Sequence, residues 1–218
     1  MDPPPLAQEP EEALRAVLLA YKQSSGRQNP LADYLLRRLR PRLPVRLHPY
    51  LKREVQVPGL ARSKSWDLGL VYPEGPTRKP RLLLSLKSIL ANPSGSRPNR
   101  LDDLVGEASS AQMLFPEVVV GYVVVLDYGA PAKRKEGCKH PVGDELMPLY
   151  ARFLEGLEAL AKRQPPLWAQ GLVEGYWAVA MDSRQEALLL EPEATLKRGE
   201  AFLDALVAAL REREPLLF

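Results

Sequence analysis

The segment EVVVGYVVVLD at 117–127 contains nine successive residues, Val118 to Leu126, with no charged or amide side chain on either face. A strand wetted on one side alternates polar and apolar residues, because neighbouring side chains point to opposite faces. This one must be covered on both, as the central strand of a sheet between helices. It is also far short of the about 20 apolar residues that a membrane span needs. The expected fold class is therefore α/β (α+β), a central mixed sheet flanked by helices in one domain.

The rest of the chain supplies those helices and further strands. Apolar residues recur at helical spacing in 11–22 (Leu14, Val17, Leu18, Tyr21), 31–39, 100–115, 144–163 and 195–213. Strand patterns occupy 55–57, 65–72, 81–90, 175–181 and 187–190, and the turn-rich PEGPTRKP joins the second to the third. Residues 92–99, NPSGSRPN, read as a polar loop, and residues 1–10 read as disordered. The order is ααβββαβαββα, a mixed topology.

Composition excludes several classes of chemistry. With one cysteine, Cys138, there is no intrachain disulfide framework, and the expected compartment is the reducing cytoplasm. The N-terminal MDPPPLAQEP has neither the basic nor the apolar region of a signal peptide. Two histidines, His48 and His140, rule out a histidine-rich metal site, and Cys138 with His140 in a lysine-rich loop falls short of the four ligands of a structural zinc. There is no phosphate-binding glycine loop, no dinucleotide fingerprint and no nucleophile elbow. The net charge is only +3. Its distribution is uneven, however: Arg37, Arg38, Arg40, Arg42, Arg46, Lys52 and Arg53 occur without an acid between Asp33 and Glu54. Such a run is either a phosphate-binding footprint or a solvated helix face.

One constellation carries chemistry. In RLLLSLKSIL, Ser85 and Lys87 share a face, and Asp67 lies in the middle of the preceding strand. If the two strands form a hairpin, an inward lysine needs a carboxylate partner, for which Asp67 is the candidate. The pair is either a core ion pair or part of a phosphodiesterase site. In the second case the aspartate holds a divalent cation and the lysine orients a water.

Three segments in order extend this pattern: KSWDLGLVY at 64–72, LLLSLKS at 82–88 and NRLDDLVGEA at 99–108. Together with Pro58, Gly59 and Arg62 upstream, they resemble the XhoI-like type II restriction endonucleases of the PD-(D/E)XK superfamily. The good match covers 58–108, and a looser one runs to about residue 183. The resemblance implies a restriction-endonuclease-like fold and a Mg-dependent DNA endonuclease, with Mn able to substitute. It would act on duplex DNA as a homodimer and away from membranes. Asp67 would be the metal-binding aspartate, Lys87 the catalytic lysine, and Leu86 would lend its backbone carbonyl to the metal. Ser85 departs from the pattern, since the family places an acid there. Glu107, Asp103 and Glu54 are the candidates to replace that carboxylate. Arg97, Asn99 and Arg100 are the expected DNA contacts, beside the basic run at Arg37–Arg42. The alternative is a catalytically silent DNA-binding or partner-binding module of the same fold.

Overall fold

The structure, a computed structural model, describes residues 8–19, 28–89, 93–129, 147–161 and 171–218. Five strands form one sheet in the order β1-β2-β3-β4-β5. The first three, β1 (Leu51–Val57), β2 (Lys64–Glu74) and β3 (Thr77–Ile89), make an antiparallel meander. Gly75, at φ 59°, takes the left-handed conformation in the tight turn from β2 to β3, where a side chain would be strained. β4 (Val119–Asp127) and β5 (Gly175–Met181) then continue the sheet parallel to β3. Parallel neighbours need long crossovers. These carry α3 (Pro93–Leu114) between β3 and β4, and α4 (Met147–Leu160) between β4 and β5. Helices α1 (Gln8–Leu19) and α2 (Asn29–Leu39) precede the sheet, and α5 (Pro192–Arg213) follows it.

All nine residues of β4 are buried, and the strand divides them between two cores. Val119, Val123 and Val125 pack with residues of α1, α2 and α5, whereas Val120, Tyr122, Val124 and Leu126 pack with residues of α3 and α4. The chain is thus a mixed sheet between two helical layers, an α+β arrangement. Gly121 lets α5 approach closely, since a Cβ there would stand 2.4 Å from the Leu84 side chain and 3.0 Å from that of Leu206. At the start of β4 and β5, Arg213 of α5 meets Glu174 at 2.6 Å, with both side chains almost wholly buried. The other Glu174 oxygen accepts from the Val120 N–H, and Nη1 of Arg213 donates to the Val118 carbonyl, so both partners are also hydrogen-bonded to the backbone.

Three expectations are corrected. Residues 93–99 are the first turns of α3 rather than a loop, with Pro93 at the helix start and Pro98 inside. The proline- and serine-rich composition masked a helix whose opening residues need no intrahelical donors. Residues 187–190 form no strand. Only the bridge between Met181 and Leu189 joins them to β5, and it caps the outer edge of that strand. Gln8, Glu9 and Pro10, expected to be disordered, begin α1. The helix expected at 144–163 is α4, of which residues 144–146 and 162–163 lie outside the described residues. So do residues 1–7, Cys138, His140 and the basic loop around them. Among the described residues no helix is long and apolar enough to cross a membrane.

Candidate functional site

Asp67 on β2 and Ser85 and Lys87 on β3 belong to adjacent antiparallel strands, and the pairing of Leu68 with Leu84 sets Asp67 across from Ser85. On β3, Leu82, Leu84 and Leu86 point to the core shared with α1, α2 and α5, so Leu83, Ser85 and Lys87 face the α3 layer. β2 behaves differently at Asp67. Trp66 packs on the α3 side and Leu68 on the other, although two residues apart normally share a face. Opposite this twist, β1 is also irregular. Pairing runs through Arg53 and resumes at Val55, and Glu54 between them takes φ 52°.

The Asp67 carboxylate accepts a hydrogen bond of 2.7 Å from the backbone N–H of Leu86. In a strand a residue's N–H and C=O point to the same neighbour, so the Leu86 carbonyl is directed to the same side. Burial pushes the Asp67 pKa above the ordinary carboxylate value. The Leu86 N–H and the charge of Lys87 oppose that rise, while the negative charge of Glu107 adds to it.

Glu107 comes from the sheet-facing side of α3, which Leu104, Ala108 and Ala111 press onto the sheet. Its side chain is only 8% exposed. Ser85 donates its hydroxyl to Oε2 of Glu107 at 3.1 Å, and the Lys87 ammonium lies 3.4 Å from Oε1. Lys64, the first residue of β2, forms an ion pair with that same oxygen. The expected Asp67–Lys87 ion pair is therefore corrected: the direct partner of Lys87 is Glu107, because α3 delivers a carboxylate to the lysine. Below the cluster lies Tyr122, fully buried and paired in register with Ser85, its hydroxyl pKa pushed far up by burial.

Of the three acids considered as replacements at Ser85, only Glu107 enters the cluster. Asp103, one turn earlier, pairs with Arg100 at 2.9 Å instead. Glu54 is exposed on the edge strand, and its left-handed backbone breaks the pairing that would aim it with its neighbours. Asn99 is exposed on α3, while the side chain of Arg97 lies outside the described residues. Sequence reasoning did not assign a role to Lys64 or Tyr122. Lys64 stood in the quoted KSWD segment, and its convergence with Glu107 depends on the long-range packing of α3.

The basic run is placed elsewhere. Arg38 and Arg42 on and after α2 bind Glu200 of α5, and Arg42 also reaches Asp204 at 2.9 Å. Arg53 pairs with Asp33 at 3.1 Å, and Arg46 donates to the backbone carbonyl of Leu216. Arg37, Arg40 and Lys52 have exposed side chains. α2 lies on the sheet face opposite the Glu107 cluster, and two cations of the expected phosphate footprint, Arg38 and Arg42, clamp α2 and the turn after it to α5.

Asp67, Glu107, Ser85 and the Leu86 carbonyl together offer hard oxygen donors, the type magnesium prefers. The negative charge of Glu107 adds to the cost of ionising Asp67, which an added cation would relieve. Among the described residues no group of three or more His, Cys, Asp or Glu side chains gathers as a ready metal cage. Beside the cluster opens a cavity of about 460 Å³, between residues 58–62 and α3, with Lys64 and Glu107 in its wall. No family model, curated protein or solved structure matches the chain.

Proposed function

We propose that the chain is a metal-dependent DNA endonuclease of restriction type, hydrolysing phosphodiester bonds at the Asp67–Ser85–Lys87–Glu107 cluster. The observation that carries this reading is the arrival of Glu107 at Ser85. The resemblance leaves a carboxylate missing at that strand position, and α3 supplies one within hydrogen-bond distance of it. The hairpin bearing Asp67 and Lys87, followed by a crossover helix and a parallel strand, also suits the fold that the resemblance implies.

Asp67, Glu107 and the Leu86 carbonyl are the groups that would hold magnesium or manganese. Such an ion supplies a Lewis acid and lowers the pKa of bound water. Lys87 sets a positive charge beside the carboxylates, where it can orient the attacking water and offset charge developing on the phosphate. Ser85 fixes the Glu107 carboxylate through its hydroxyl. Cutting both strands of a duplex needs two such sites, which a two-fold homodimer provides. The single cysteine suits a cytoplasmic enzyme.

One observation favours a second reading, a catalytically silent binding module: Glu107 is already satisfied by Ser85, Lys87 and Lys64. Incubation with plasmid and genomic duplexes in magnesium or manganese decides between the two. The nuclease reading expects discrete, metal-dependent fragments, abolished by Asp67→Ala, Lys87→Ala and Glu107→Ala in folded protein. No cleavage by the wild type or Ser85→Glu with either metal leaves the silent module.

A further inference from the structure

The cavity between residues 58–62 and α3 has no part in the chemistry above except through its shared wall. At about 460 Å³ it falls within the roughly 300–1,000 Å³ of small-ligand sites. Pro58 and Leu60, the latter 56% exposed, contribute apolar surface to it above a floor of buried Val57, Trp66 and Ala111, and Arg62 and Lys64 contribute cations among the carboxylates of Asp102, Asp103 and Glu107. Its loop is pinned in place. The Leu60 N–H donates to the Ser110 hydroxyl at 3.0 Å, and a Cβ on Gly59 would collide with the Arg62 carbonyl oxygen at 2.7 Å.

Gly106, also in the wall, stands in the middle of α3, where alanine is the better helix former. It does not have the positive φ that calls for glycine. Close packing does not require glycine either, since a Cβ at this position would meet nothing within 4 Å. The fold gains nothing from the missing side chain. What the glycine leaves bare is cavity wall, directly beside Glu107.

We propose that this cavity seats one nucleotide of the bound strand, its base against the apolar surface and its phosphate between Arg62 and Lys64. The proposal takes its ligand class from the nuclease reading. Flat bases suit an apolar slot, and a phosphate suits the guanidinium of Arg62 and the ammonium of Lys64. The exposed carboxylate of Asp102 at the rim can accept a hydrogen bond from a base amino group. Lys64 belongs both to the seat and to Glu107, so a phosphate in the seat competes for that lysine and loosens its hold on the carboxylate.

The test is an amide NMR titration of the whole chain with deoxycytidine 5′-monophosphate, with deoxycytidine and inorganic phosphate run separately. The nucleotide is expected to shift the Gly106 amide and the Trp66 indole at millimolar concentration, more than either fragment does. Arg62→Ala and Gly106→Leu should each weaken binding about ten-fold while the spectrum stays folded. Gly106→Ala should raise the melting temperature by about 2 °C, since the position is helical and free of strain. An unmoved Gly106, equal binding by Gly106→Leu, or the same shifts from phosphate alone would each overturn the proposal. DNA cleavage with Gly106 unmoved rejects the seat and keeps the nuclease. Nucleotide binding without cleavage under any metal keeps the seat and rejects the nuclease.

Discussion

The hydroxyl of Ser85 lies 3.1 Å from Oε2 of Glu107, a residue 22 positions further along the chain. A strand position without a charge is thus answered by a helix position with one. The carboxylate reaches the cluster from a different element and a different direction than a residue at position 85 would.

That contact makes Ser85→Glu a physical test as well as a functional one. In the absence of a cation the change sets two carboxylates against each other in a mostly buried place, and the protein should lose about 1–3 kcal/mol of stability. Magnesium or manganese should return most of it, giving a larger rise in melting temperature than in the wild type. Thermal unfolding with and without each ion measures both. An unaltered melting temperature in metal-free buffer would contradict the contact.

Asp67 predicts a pH dependence with a definite sign. Burial raises its pKa in the folded chain above the unfolded value, so the folded state binds this proton more tightly. Ionised Asp67 therefore costs stability. The penalty is absent below the unfolded pKa, grows as pH rises towards the folded value, and is complete above it. Asp67→Asn keeps an acceptor for the Leu86 N–H and removes the charge. It should be more stable than the wild type at neutral pH, and the gap should close on acidification. Denaturant unfolding across pH checks this, and a wild type that is the more stable at neutral pH would refute it.

Glu174 and Arg213 tie α5 to the start of the two parallel strands from within the core. Removing one partner leaves the other charged, buried and unpaired. Arg213→Ala should cost about 3–5 kcal/mol. Arg53→Ala, whose pair with Asp33 is exposed at both ends, should cost less than about 1 kcal/mol. Denaturant midpoints of the two variants test the ranking.

The placement of the cations predicts which of them governs DNA affinity. Arg38 and Arg42 are committed to α5 on the far face of the sheet, so replacing either should leave the salt dependence of duplex binding unchanged. Arg62→Ala and Lys64→Ala, near the cluster, should each reduce the slope of log affinity against log salt by about 1. Fluorescence anisotropy over a range of salt concentrations reads these slopes. A lower slope in the α2 variants alone would move the DNA to the other face.

The elements that the sequence disclosed are those whose periodicity is dictated by burial. The doubly apolar β4, the alternation in β3 and the stripe of α3 follow from which faces must avoid water. The pairing of Asp67 with β3 followed from those patterns and one tight turn. What stayed hidden depends on partners distant in the chain. Arg38 and Arg42 look like a free basic surface until Glu200 is brought to them. Lys64 and Lys87 similarly meet on one oxygen only because α3 docks where it does. The opening of α3 was missed for a local reason, since prolines and serines are as suited to a helix start as to a loop.

The docking of α3 has a consequence for the order in which the molecule acquires its chemistry. Asp67 and Ser85 are brought together by a hairpin, a contact of short sequence range whose loop closure costs little entropy. Glu107 joins only after a complete crossover helix has settled on the sheet. A chain still being synthesised, or one in which α3 has locally opened, holds the aspartate and the lysine but lacks the second carboxylate. The cluster is therefore an index of completed folding: it is whole only while α3 is docked on the sheet.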